Sequence, residues 1–201
     1  MKSFKVLSIL GAAFFVGAQA LNEAPIEGYN IEEFSWEVES APGSEKVVLN
    51  GTIQQIVTQL REINPNFDTD FGLDKLDDNN EEETHTESQL TKRGDSWKCN
   101  IFVGARQADI TNGIKYLRGV SGQPTAGPGP GNCARVSCSY AAAIWWCNDN
   151  TFTKVLPGFY NIADGAQVLK NKCWRGGQKF SGQLFHDDKW NVIIREDHDN
   201  C

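Results

Sequence analysis

The chain has 201 residues with 40% hydrophobic and 10% aromatic content, and 26 Asp+Glu against 19 Lys+Arg give a formal net charge of −7. No nucleic-acid partner is expected, because the +3 carried by residues 94–201 is too small and too scattered to argue for one. No apolar run is long enough to span the roughly 30 Å core of a bilayer, so no stable membrane anchor is expected.

In chain order, residues 1–20 read as a secretory signal peptide. Lys2 and Lys5 precede an apolar stretch from Val6 to Val16, and Ala18-Gln19-Ala20 places small residues at a cleavage site after Ala20. Residues 21–93 form an acidic pro-segment, with 17 Asp+Glu against 5 Lys+Arg, a charge of −12. Phe34-Ser35-Trp36-Glu37-Val38 alternates as a half-buried strand does, Ala41-Pro42-Gly43-Ser44 is a turn, and Lys46-Val47-Val48-Leu49 supplies a second strand. Thr52 and Gln55 form a capping box ahead of Ile53, Ile56, Val57, Leu60 and Ile63, whose helical spacing stops at Pro65. A strand–strand–helix unit of this size has an apolar surface but no sufficient core, which suits an intramolecular chaperone or mask. Asn50-Gly51-Thr52 is the one glycosylation sequon, at Asn50.

The run Asp77-Asp78-Asn79-Asn80-Glu81-Glu82-Glu83 is too charged to bury and reads as an exposed tether. It leads to Lys92-Arg93, a dibasic pair suited to a kexin-type processing protease, which makes residues 94–201 the mature domain. That domain carries 12 Lys+Arg against 9 Asp+Glu, a charge of +3.

All six cysteines, Cys99, Cys133, Cys138, Cys147, Cys173 and Cys201, fall after the dibasic pair. An even set in an exported segment implies three disulfides, with the pairing left open. There is no Cys-x-x-Cys, and His186 and His198 are not at ligand spacing, so neither metal nor cofactor is expected.

The mature part contains an internal echo. Trp97-Lys98-Cys99-Asn100 returns as Trp145-Trp146-Cys147-Asn148, and Asp109-Ile110-x-x-Gly113-Ile114-x-x-Leu117 returns as Asn161-Ile162-x-x-Gly165-Ala166-x-x-Leu169. The spacing predicts two helices capped by Asp109 and Asn161, with Gly113 and Gly165 marking close approach to a sheet or to each other. Ala134–Ser139, Ala142–Cys147, Lys179–Phe185 and Lys189–Arg195 read as strands, with turns near Tyr140 and at Asp187-Asp188, and a Gly/Pro loop over 122–131. The expected fold is α+β: a disulfide-stapled antiparallel sheet with two helices on one face, from two related strand–helix units.

Signal, acidic pro-segment, dibasic site and six-cysteine product together resemble the small cysteine-rich proteins secreted by filamentous fungi, including effector candidates and, more loosely, killer-toxin-like proteins. The stretch from Gly131-Asn132-Cys133 through Trp145-Trp146-Cys147-Asn148-Asp149 carries most of that resemblance. It implies a secreted effector or toxin that binds a protein or glycan of a host or competitor.

Adjacent strand residues face opposite sides, so either one of Trp145 and Trp146 is an exposed anchor beside Arg135 or both are packed; His186, beside the Asp187-Asp188 turn, is a further candidate for the binding surface. The alternative is a small secreted hydrolase, ribonuclease- or glycan-directed, using His186, His198, Glu196 and Arg195. No Gly-x-Ser-x-Gly is present, and no catalytic set is assigned.

Overall fold

The computed structural model describes residues 24–33, 35–76, 94–197 and 201. The signal-peptide site at Ala20, the acidic tether, Lys92-Arg93 and His198 lie outside the described residues.

Residues 24–76 give β1 (Asn30–Ile31), β2 (Ser35–Glu39), β3 (Lys46–Asn50), α1 (Ile53–Ile63), α2 (Phe67–Phe71) and a 3-10 turn at Leu73–Leu76. The strand–strand–helix reading holds, and Thr52 and Gln55 do form the capping box of α1. Residues 94–197 give β4 (Ser96–Cys99), β5 (Ala105–Arg106), α3 (Gln107–Gly119), β6 (Thr125–Ala126), β7 (Asn132–Ser139), β8 (Ala142–Asn148) and β9 (Lys154–Val155). They continue with α4 (Tyr160–Cys173), β10 (Lys179–Phe180), β11 (Gly182–His186) and β12 (Trp190–Glu196).

The fold is α+β. Its main sheet runs β1-β7-β8-β12-β11-β4, with every pairing antiparallel except β1 on β7. Strand alternation sends Ala134, Val136, Ile144, Trp146, Leu184, Val192 and Ile194 to the face that meets α1, α3 and α4. Gly113 and Gly165 explain how closely α3 and α4 lie on that face. A Cβ on Gly113 would come within 3.1 Å of Ile144 Cδ1, and one on Gly165 within 2.8 Å of Val192 Cγ2.

Two details of the helices depart from expectation. Their first turns begin earlier, with Arg106 and Phe159 at the cap positions. Asp109 instead lies inside the first turn of α3, ion-paired with Arg106 at 2.9 Å, and Asn161 Oδ1 accepts from Gly158 N–H at 3.1 Å. The strands of the internal echo are also inequivalent, since β4 is an edge and β8 is central.

Three bridges, Cys99–Cys173, Cys133–Cys147 and Cys138–Cys201, staple the sheet to α4, β7 to β8, and β7 to the last residue. None reaches residues 24–76, which join the rest by packing and hydrogen bonds without a covalent cross-link. Trp36, Val38, Ile53, Ile56, Val57, Leu60 and Phe67 are buried in the same core as Leu117, Val136, Phe159 and Ala163. Trp36 stacks on Phe159 with ring centroids 3.9 Å apart and planes 6° from parallel, while its Nε1–H donates to Gly51 O at 2.9 Å. Gln54 of α1 adds two bonds to β7: its Nε2 donates to Ser137 Oγ at 2.7 Å, and its Oε1 accepts from Cys138 N–H at 3.0 Å.

Replacing Trp36 with Ala should therefore cost the whole chain ~3–5 kcal/mol. Urea unfolding of the full-length protein measures this, and a loss below about 1 kcal/mol would contradict a shared core.

Candidate interaction surface

The sheet's second face carries a smaller cluster of Cys133, Cys138, Ala143, Trp145, Cys147 and Ile193, closed over by Ile26, Tyr29 and Phe102. Burial in this cluster makes polar side chains find one another. Asp197 accepts from Trp145 Nε1–H at 3.1 Å, pairs with Arg135 Nη1 at 3.2 Å, and pairs with Arg195 Nε at 3.1 Å. Burial nonetheless pushes the Asp197 carboxyl above its usual value, outweighing the opposing pull of Arg135, Arg195 and the indole. Arg195 then donates through Nη1 to Pro25 O at 2.9 Å, linking the network to the acidic segment.

The structure corrects the expected anchor set. Trp145 and Trp146 do face opposite sides, yet both are 0% exposed, because each side of β8 is covered. Arg135 keeps only 11% of its side chain exposed, and its guanidinium lies 5.8 Å from the Trp145 ring. His186 is buried too. Its ring stacks on Trp190 at 3.7 Å, and Nδ1 is 3.2 Å from Asp95 Oδ1.

Of the groups considered for hydrolysis, the described ones do not gather into one site: His186 lies far from Arg195 and Glu196. His186 pairs with Trp190 at one end of the β11–β12 hairpin, and Glu196 lies six residues along β12, about 20 Å away. Glu196 is held by Lys179, and Arg195 by Asp197. Asn50 ends β3 exposed, with its Oδ1 accepting from Ser35 Oγ–H at 2.7 Å. Among the described residues no cluster of His, Cys, Asp or Glu has the makings of a metal site, and no helix is long and apolar enough to cross a membrane.

One arrangement has the form of a ligand seat, and residues 29–32 occupy it. The β7 edge receives β1 in parallel, with Asn30 N–H donating to Gly131 O and Glu32 N–H to Cys133 O, both at 2.7 Å. Glu32 Oε2 accepts from Gly127 N–H at 2.9 Å and from Asn132 Nδ2–H at 2.8 Å. The Tyr29 ring lies against Gly131, where a Cβ would come within 3.0 Å of its Cδ1. Burial, and after it the Asp149 carboxylate, push the Tyr29 phenol up to about 12.

The seat is fixed by bonds that do not involve residues 24–33. Asn148 Nδ2 donates to Gly127 O and to Phe152 O, each at 2.8 Å, and Gly129 N–H donates to Asn150 O at 2.7 Å. Asn191 Nδ2 holds Asp149 at 2.8 Å, and the Cys133–Cys147 bridge ties β7 to β8 alongside. The Gly/Pro loop over 122–131, where no regular structure is expected from sequence, carries the short strand β6 and forms a cradle. A two-residue strand pairing in parallel with a segment a hundred positions away leaves no local signal, so neither Tyr29 nor Glu32 stood out in the sequence.

No family model matches this chain, and no match was found among curated proteins or solved structures.

The seat makes a pH prediction. Burial first, then the Asp149 charge and hydrogen bond, push the Tyr29 phenol from 10.0 up to about 12. A raised folded value means its stabilisation is whole below 10.0 and is lost as pH rises through about 12. Thermal unfolding should find the native chain more stable than Tyr29→Phe below that window, with the difference vanishing across it. A difference independent of pH would contradict a phenol value raised by burial and the Asp149 charge.

Proposed function

We propose that this chain is a secreted preproprotein whose residues 94–201 are released by dibasic cleavage after Lys92-Arg93 and act outside the cell as an effector- or toxin-like binding protein. Residues 21–93 have two roles in this reading. They complete the core while the bridges form, and they cover the second face of the sheet until they leave.

The observation that carries it is the kind of junction between the two parts. Large apolar side chains of residues 36–67 are buried against the cysteine-stapled part, yet no bridge crosses, so one peptide cut leaves only reversible contacts. A segment meant to stay permanently would have no need of an acidic run followed by a dibasic pair in sequence. Three disulfides suit an oxidising compartment. Target recognition by the product belongs to a protein or glycan of a host or competitor, with a kexin-type protease as the processing partner.

Secreted material should begin at Gly94 on N-terminal sequencing, and chains with Lys92→Ala and Arg93→Ala should begin at Leu21. Processed protein should bind cells or wall material of the target organism at least about tenfold better than the uncleavable form. Secreted native protein beginning mainly at Leu21, or equal binding by both forms, would refute the proposal.

A further inference from the structure

We propose that the β7 edge, the Gly127–Gly131 loop and Asp149 form a receptor site for an extended peptide of another protein bearing the pattern Tyr-x-x-Glu, and that Tyr29-Asn30-Ile31-Glu32 is its built-in placeholder. The inference rests on the reading that residues 21–93 leave the product.

Strand addition at a sheet edge gives affinity through main-chain bonds and specificity through the side chains that fall into pockets. Both parts are present. Gly131 O and Cys133 O accept two main-chain N–H groups spaced two residues apart. Gly127 N–H and Asn132 Nδ2–H point at a carboxylate, and no positively charged side chain takes part in that grip. The Tyr29 ring packs on Gly131, where a Cβ would come within 3.0 Å of its Cδ1, and burial together with the nearby Asp149 carboxylate favours the protonated phenol. Gly127 and Gly131 keep the seat open, since a Cβ on Gly127 would sit 3.0 Å from Glu32 Oε1.

The other two positions of the pattern stay free. Asn30 and Ile31 are exposed, so the seat places no demand on them. The placeholder is also weakly held, because only two residues of β1 pair with β7. A longer partner strand can continue the ladder past Cys133 towards Cys138, whose N–H is taken by Gln54 Oε1 while α1 is docked; among the described residues no other strand pairs with β7 on that side. Departure of residues 24–33 leaves an unpaired edge of the kind that recruits strands from other chains.

The test uses the full-length, uncleaved chain, so its outcome is independent of where processing occurs. Asn30→Pro with Glu32→Pro removes both N–H donors of β1 and opens the seat while α1 stays docked. The probe is a fluorescently labelled synthetic peptide of residues 24–33. It should bind the double-proline chain saturably and the native chain, whose seat is filled, at least about tenfold more weakly. A probe peptide with Glu32→Gln should bind about tenfold more weakly than the parent, as expected for losing hydrogen bonds to a charged group, and one with Tyr29→Phe should also bind more weakly.

Equal binding of all three peptides would overturn the proposal. So would failure to bind a double-proline chain that keeps its thermal transition and resists thiol alkylation. If that chain does not fold, full-length Glu32→Gln retains both main-chain donors and should still exchange its own strand for the parent peptide. No exchange there would overturn the proposal equally. If sequencing instead finds no cleavage at Gly94 while the peptide binds as expected, the processing reading falls and the seat stands.

Discussion

Everything in this fold depends on an apolar contact between two parts that share no covalent bond except the backbone. Trp36, Ile53, Ile56, Val57 and Leu60 are all essentially unexposed. At ~1.5–3 kcal/mol for each large apolar side chain buried, their contribution is about the size of a whole domain's net stability. Charge cannot replace it: exposed charges are screened beyond about 8 Å at physiological salt, however large the difference between −12 and +3. The groove that receives α1 is lined by Val136, Leu117 and neighbours that would otherwise meet water.

The same contact explains why both faces of the sheet can be so apolar. β8 is buried at every position, and its flanking strands β7 and β12 are nearly so. α1, α3 and α4 close one face. The other is closed by Phe102, by bridges, and by Ile26 and Tyr29 from the acidic segment. Removal of that segment would therefore change both faces at once, opening the α1 groove on one and the Trp145 cluster on the other. Within that cluster the attraction of two arginines does not offset the cost of burying Asp197, so its network positions Arg135, Arg195 and Trp145 more than it stabilises the fold.

Elements with a local physical cause were readable. α1 follows from a capping box and one apolar stripe, the β11–β12 hairpin from its acidic turn, and the seating of α3 and α4 from glycines on their apolar faces. Elements caused by distant residues were not. His186 beside Asp187-Asp188 looks exposed until Asp95 and Trp190 close over it. The burial of both Trp145 and Trp146 did have a signal. Ala142–Cys147 is an unbroken apolar run, as expected of a strand covered on both faces, and the structure settles the open choice in favour of both rings being packed. The seat for Tyr29 and Glu32 had none, because its donors come from a loop and a strand end brought together only by the fold.

Refolding tests the shared core most directly. Reduced residues 94–201 would be oxidised in a glutathione buffer with and without residues 21–93 supplied as a separate chain, and the bridges mapped by proteolysis. A core completed from outside requires that added segment raise the fraction carrying Cys99–Cys173, Cys133–Cys147 and Cys138–Cys201 several-fold. The same fraction in both samples would mean that residues 94–201 specify their fold alone, and the shared core would be a consequence of folding instead of its condition.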